Sequence, residues 1–163
     1  MPTSPSECLI WKRWDLDLSH ASLHSQNTLK HADSPILWSH PPPRSFKMNF
    51  DGAAKGNPGP AGFGGTFRNH EGTMAHIYFG SMGRDSNNAA ELEGLWQGLN
   101  IAERENFFLL EVVGDSQILI EATNRLHSGA SASNVASSWQ LQSRLELIEN
   151  WLKTPKAITF KHI

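Results

Sequence analysis

Three acidic residues, each set where a regular element ends or begins, constrain this chain more than any other feature. Asp51 lies in Phe50-Asp51-Gly52, directly before a Gly/Pro-rich stretch. Glu91 lies in Asn87-Asn88-Ala89-Ala90-Glu91-Leu92, at the start of a helix-like run. Asp115 follows the apolar run Phe107 to Val113 and sits in Gly114-Asp115-Ser116-Gln117. A strand end, a helix start and a second strand end can bring three carboxylates to one point. Converging carboxylates repel one another unless a hard cation sits between them. The pattern therefore points to a Mg²⁺ site acting on phosphate.

Bulk properties narrow the setting. The 163 residues suit one domain with an appendage, and 39% hydrophobic residues supply a core. The single cysteine, Cys8, excludes an internal disulfide and a four-cysteine zinc site, and it fits a reducing compartment. No apolar run approaches the roughly 20 residues of a membrane helix, so no membrane partner is expected. The first residues carry Glu7, Asp15 and Asp17 around the short apolar stretch Cys8 to Trp11, which does not read as a secretory signal. Nuclear, cytosolic and organellar locations stay open, with nucleus or cytoplasm favoured. The net charge of −2 weighs against nucleic-acid binding, where a basic footprint is usual. From Phe46 onward 10 Lys/Arg face 12 Asp/Glu. Masking three of those acids with bound cations leaves a modestly positive surface, so binding would depend on the cations.

Residues 1–45 differ from the rest. They hold Trp11, Trp14 and Trp38 and much Ser and His, with no sustained period, and Pro41-Pro42-Pro43 closes them as a stiff spacer. They are expected to form a poorly ordered tail or linker; a partner-docking segment built on the tryptophans is the alternative. The folded unit is expected over 46–163. Phe46, Met48 and Phe50 alternate with Lys47 and Asn49, a strand ending at Asp51. Gly52 to Gly65 holds six glycines and two prolines and reads as a loop. A strand around Phe63 and Phe67, the turn Asn69-His70-Glu71-Gly72 and a strand over Thr73 to Met82 complete an antiparallel meander.

The period then changes. Leu92, Leu95, Trp96, Leu99 and Ala102 form one helical stripe, which Asp85, Ser86 or Asn87 can cap. Gly94 and Gly98 in that stripe permit close backbone contact against the sheet. Phe107 to Val113 reads as a strand covered on both faces. Ile118, Leu119, Ala122 and Leu126 predict a short helix, Ser128 to Ser133 a small-residue loop, and Leu141, Leu145, Ile148 and Leu152 another helix. Pro155 ends it, and Ala157 to Ile163 predicts a last strand. The order βββαβααβ implies a mixed α/β sheet, because a strand reached through a helix tends to lie parallel to its predecessor.

On these motifs the stretch from Lys47 to Ile163 resembles a type 1 ribonuclease H domain, nearest the plant ribonuclease-H-like domains related to those of retrotransposons. The resemblance is carried by Asn49-Phe50-Asp51-Gly52-Ala53, Gly56-Asn57-Pro58-Gly59, Asn87-Asn88-Ala89-Ala90-Glu91-Leu92 and Gly114-Asp115-Ser116-Gln117, in the family's order. It implies a five-stranded sheet of order 3-2-1-4-5, flanked by helices. It also implies hydrolysis of the RNA strand of RNA–DNA hybrids by two Mg²⁺ ions, with Mn²⁺ as a substitute and no preference for base sequence. Asp51, Glu91 and Asp115 would be the catalytic metal ligands, Asp51 bridging both ions. Gly52, Gly56, Asn57, Asn87, Asn88 and Gln117 match positions that contact the hybrid, where 2′-hydroxyls are read. A monomer is expected.

Plainer readings stand beside these. An Asp after a strand is often a turn residue, a Glu in an early helical turn answers the helix dipole, and Asn87 and Asn88 can be caps. Gly62-Phe63-Gly64-Gly65 lacks the Lys-Ser/Thr of a phosphate-binding loop, so no nucleotide cofactor is expected. The family continues past the last strand into a helix carrying a fourth acidic residue, whereas no Asp or Glu follows Glu149 here. The expectation is a domain truncated at its C-terminus, without that helix and less stable for it. Glu146 and Glu149 read as solvent-facing helix residues. The resemblance gives His162, a motif element at the end of the last strand, no catalytic role. The competing functions are a non-catalytic hybrid-binding module, inactive for want of the fourth carboxylate, and a degenerate transposon remnant.

Overall fold

The computed structural model describes residues 38–154 and 156–163. Residues 1–37 of the expected tail over 1–45 lie outside the described residues. The compact unit runs from Trp38 to Ile163. Its strands are β1 (Phe46–Ala54), β2 (Gly59–Asn69), β3 (Met74–Asp85), β4 (Leu109–Gly114) and β5 (Ala157–His162). Its helices are α1 (Asn87–Arg104), α2 (Gln117–His127), α3 (Ala132–Val135) and α4 (Trp139–Leu152). The strand order is β3-β2-β1-β4-β5. The first three strands form an antiparallel meander, and β4 and β5 run parallel to β1. This is the mixed sheet that the order of elements predicts, in the 3-2-1-4-5 order that the family resemblance implies. The short α3 is an addition within and beyond the expected small-residue loop.

Alternation along the strands sets the layers. Register places Phe67, Met48, Val112 and Phe160 in one row across β2, β1, β4 and β5. All four are buried, and they share one core with Leu92, Leu95 and Leu99 of α1. Each such leucine contributes about 2 kcal/mol by leaving water. Leu145, Ile148 and Trp151 of α4 and Leu119 and Leu126 of α2 complete that side. Lys47 and Glu111, paired in register one residue earlier on β1 and β4, point to the opposite face.

Helix α1 lies close on the sheet because its sheet-facing positions include glycines. A Cβ at Gly98 would fall 2.4 Å from Met48 Sδ and from Tyr78 Oη. Tyr78 Oη donates to the Gly94 carbonyl at 2.8 Å, tying β3 to α1. Burial pushes the Tyr78 pKa upward, so the phenol stays a neutral donor.

The stretch Gly52 to Gly65 is not the loop its composition suggests. Strand β1 continues to Ala54 and β2 begins at Gly59, so only 55–58 connect them. Asp51 pairs with Gly64 and Gly52 with Phe63. Gly52 and Gly65 serve close packing rather than a turn. A Cβ at Gly65 would fall 2.4 Å from Asn49 O and from Tyr78 Oη.

Candidate active site

Three elements deliver the carboxylates. Asp51 sits on β1, the central strand of the sheet, and its Oδ1 accepts the Gly52 N–H at 2.8 Å. Glu91 sits one turn into α1, whose start is set by Ser86 accepting the Ala89 N–H at 3.2 Å. Asp115 lies between the end of β4 and the N-cap of α2, Ser116. Phe50 shapes that corner, for a Cβ at Gly114 would fall 2.5 Å from its ring. One carboxylate oxygen from each of Asp51, Glu91 and Asp115 lies within 4.8 Å of the other two. The convergence inferred from the sequence is therefore present.

The approach of α1 to β1 at this point requires glycine. A Cβ on Gly52 would fall 2.1 Å from the Glu91 nitrogen, and one on Gly94 would fall 2.8 Å from the Asp51 carbonyl oxygen. Both would drive into backbone, so neither collision could be relieved by a rotamer change. Gly52 thus acts through packing: it lets Glu91 stand beside Asp51.

Electrostatics at the cluster are unfavourable to three charges. The Glu91 pKa is pushed up to about 8, first by burial, then by the charges of Asp115 and Asp51 and by a hydrogen bond with the Asp115 side chain. Glu91 Oε2 is buried without a hydrogen-bond partner among the described residues. An all-oxygen donor set with an orphaned buried carboxylate oxygen suits a hard divalent cation such as Mg²⁺.

The other residues singled out from the sequence fall into two groups. Asn57 Oδ1 accepts the Asn87 N–H at 3.2 Å, and Asn87 Oδ1 accepts the Ala54 N–H at 2.7 Å. The β1–β2 connection is thereby laced to the first turn of α1, and Gly56 within it adopts φ +89°. Asn88 is exposed on that same turn. Gln117 opens α2 next to Ser116, and its Nε2 donates to Glu121 Oε1 at 2.7 Å along the helix. Glu149 turns back to accept the Ala132 N–H at 2.9 Å, and Glu146 accepts from Gln142 on α4. One contact at the cluster escaped the sequence reading: His162 Nε2 lies 2.9 Å from the Asp115 carbonyl oxygen. The only signal for it was the parallel pairing of β4 with β5.

A 3-2-1-4-5 sheet with three carboxylates at its β1, β4 and α1 corner defines a domain of the ribonuclease H type. The reverse transcriptase-like family matches residues 49–163, and the chain belongs to it. An Arabidopsis thaliana protein named as a candidate ribonuclease H protein is 28% identical over 157 residues, which is 93% of this chain and 24% of its own. Ribonuclease HI of Halobacterium salinarum is 33% identical over 118 residues, 70% of this chain and 59% of its own. Ribonuclease H of a Sulfurovum species is 38% identical over 81 residues, 50% of this chain and 52% of its own. The chain thus spans less than two thirds of the length of each of these relatives. The crystal structure of the Halobacterium ribonuclease H1 superposes with a TM-score of 0.61 at 26% identity, over 73% of this chain and 85% of that one. LC11 ribonuclease H1, solved with an RNA/DNA hybrid, shares the fold with a TM-score of 0.61 at 24% identity, over 73% of this chain and 85% of that one.

Proposed function

We propose that the domain over 46–163 is a divalent-metal-dependent endonuclease that hydrolyses the RNA strand of RNA–DNA hybrids. The observation that carries this reading is the meeting of Asp51, Glu91 and Asp115 within 4.8 Å. On this reading those three side chains hold Mg²⁺, with Mn²⁺ as a substitute. Two such ions, when bound, would activate a water and relieve charge on the leaving oxygen of a phosphodiester.

The protein's own residues do the rest. Gly52 and Gly94 set the depth at which α1 meets β1 and so the spacing of two carboxylates. The Asn57–Asn87–Ala54 hydrogen bonds hold the β1–β2 connection against α1. Gly56, Asn57, Asn87 and Asn88 would present backbone and amide groups to the minor groove, where the 2′-hydroxyl separates RNA from DNA. Gln117 would do so from the start of α2. No base edge is engaged on this reading, so cleavage is indifferent to sequence. LC11 ribonuclease H1, which has the same fold, is solved with an RNA/DNA hybrid, and this supports the substrate class.

The test is cleavage of an end-labelled RNA–DNA hybrid with Mg²⁺, Mn²⁺ or EDTA. Cleavage of the RNA strand alone, abolished by EDTA and by Asp51→Asn, is expected. Absence of cutting at any Mg²⁺ or Mn²⁺ concentration would reject the nuclease. Hybrid binding that persists in that case, unaltered by Asp51→Asn, would establish the non-catalytic binding module instead.

A further inference from the structure

Asp115 is the most exposed of the three carboxylates and the only one outside a regular element. Asp51 is held within β1 and Glu91 within α1, so their backbones are fixed by ladder hydrogen bonds. Asp115 lies between Gly114, the last residue of β4, and Ser116, the N-cap of α2. Its carbonyl lies outside the helix ladder, since Ile120 N bonds Ser116 O at 3.0 Å. The Ser116 side chain makes no capping hydrogen bond to stiffen the junction. Something else must hold this residue if its carboxylate is to keep its aim.

The end of β5 meets that need from two sides. His162 is the register partner of Gly114, and the Ile163 N–H donates to the Gly114 carbonyl at 3.1 Å. The His162 ring then reaches past Gly114, and its Nε2 lies 2.9 Å from the Asp115 carbonyl oxygen. A backbone carbonyl can only accept, so Nε2 must carry the proton in this contact.

We propose that His162 is a positioning residue: its Nε2–H holds the Asp115 carbonyl and so aims the Asp115 carboxylate at the point it shares with Asp51 and Glu91. The inference rests on the metal-site reading above and assigns His162 no contact with substrate. Partners that orient metal ligands from outside commonly control affinity as much as geometry does. The assignment also explains why a histidine can sit exposed at a strand end beside the cluster without joining it as a ligand.

The test uses the full chain and manganese alone. Titration calorimetry with Mn²⁺ on His162→Ala should give affinity about tenfold weaker than wild type, the low end for loss of such an outer partner. Gln places its Nε2 three bonds from Cβ, as His does, so His162→Gln should restore most of the affinity. Asn is one bond shorter, and His162→Asn should behave like Ala. Phe160→Leu, which loosens β5 through the core, should lower the melting temperature without this pattern. Nitrogen-15 spectra of the metal-free protein should show His162 protonated at Nε2. Equal Mn²⁺ affinity in wild type and His162→Ala, a Gln variant as weak as Ala, or a proton on Nδ1 would each overturn the assignment. Wild-type protein that binds no Mn²⁺ would remove the metal reading and this inference together, whereas an indifferent His162→Ala removes the inference alone.

Discussion

The Lys47 ammonium lies 2.8 Å from the Glu111 carboxylate, between the adjacent parallel strands β1 and β4. Both side chains are largely buried, and Lys161 of β5 reaches the same carboxylate from the other side at 2.5 Å. Lys47 also donates to the Ser39 carbonyl and lies over the Trp38 ring, so Trp38 and Ser39 cover this side of the pair. Truncating one partner of a buried pair strands the other charge. Glu111→Ala should therefore cost about 3 kcal/mol in a urea melt.

The same group predicts an acid dependence. Burial opposes the charged form of Glu111, but the hydrogen bonds and charges of Lys161 and Lys47 prevail and hold its pKa below the usual carboxylate value. A depressed folded-state pKa gives stability that is full above the unfolded value and is lost as pH falls through the folded one. Melting temperature should fall on acidification below about pH 4.5, the ordinary range of a Glu carboxyl, and Glu111→Gln should flatten this limb. An unchanged acid limb in Glu111→Gln would mean that other carboxylates carry it.

Much of this architecture is legible in the chain because its signals are local. Alternation at Phe46, Met48 and Phe50, and the stripe Leu92, Leu95, Leu99, declare a strand and a helix within single turns or pleats. The three acids stand out because each sits in its own short motif, although only Asp115 lies at an element boundary: β1 runs on to Ala54 and α1 begins at Asn87. What is not legible depends on register between distant segments. Lys161 and Glu111 are 50 residues apart, and His162 and Asp115 are 47 apart; both contacts exist only because β5 pairs with β4. The glycines from Gly52 to Gly65 mislead for a related reason. Glycine marks a turn when read locally, but Gly52 and Gly65 are small because α1 and Tyr78 press on them.

The carboxylate cluster predicts an opposite pH response at higher pH. The Glu91 pKa is raised to about 8 by burial and by Asp115 and Asp51. A raised folded-state pKa gives stability that is full below the unfolded value and is lost as pH rises through the folded one. In EDTA, melting temperature should decline as pH rises from 5 to 8.5, across the roughly 4.5-to-8 window between the two states. Glu91→Gln should remove that decline. Mn²⁺ should stabilise the wild type more at pH 8 than at pH 6, because binding must displace the proton at lower pH. Scanning fluorimetry with and without Mn²⁺ reads both effects, and a metal shift independent of pH would refute the second.

Asp51 should show activity and stability moving in opposite directions. Its charge raises the Glu91 pKa, so Asp51→Asn relieves repulsion in the metal-free protein. The melting temperature in EDTA should rise. Hybrid cleavage with Mg²⁺ should fall by about 100-fold or more, the scale of losing one preorganised electrostatic group. A variant that loses both activity and metal-free stability would show Asp51 to be needed for the fold rather than for the ion.

The spacing between α1 and β1 can be tested without touching a carboxylate. Gly94→Ala places a Cβ 2.8 Å from the Asp51 carbonyl oxygen, and the neighbour is backbone, so the helix itself must move. Overpacking of this kind costs about 1–3 kcal/mol. Because the displaced helix carries Glu91, Mn²⁺ affinity should fall together with stability. Gly129→Ala supplies the contrast. Gly129 has φ +97° with open space around its Cβ position, at the far end of α2 from Asp115. An alanine there meets backbone strain of about 1 kcal/mol but no neighbour, so stability should fall while Mn²⁺ affinity holds. Urea melts and calorimetry on the two variants separate the cases. Equal Mn²⁺ affinity in Gly94→Ala and wild type would mean that the approach of α1 to Asp51 does not set the geometry of the site.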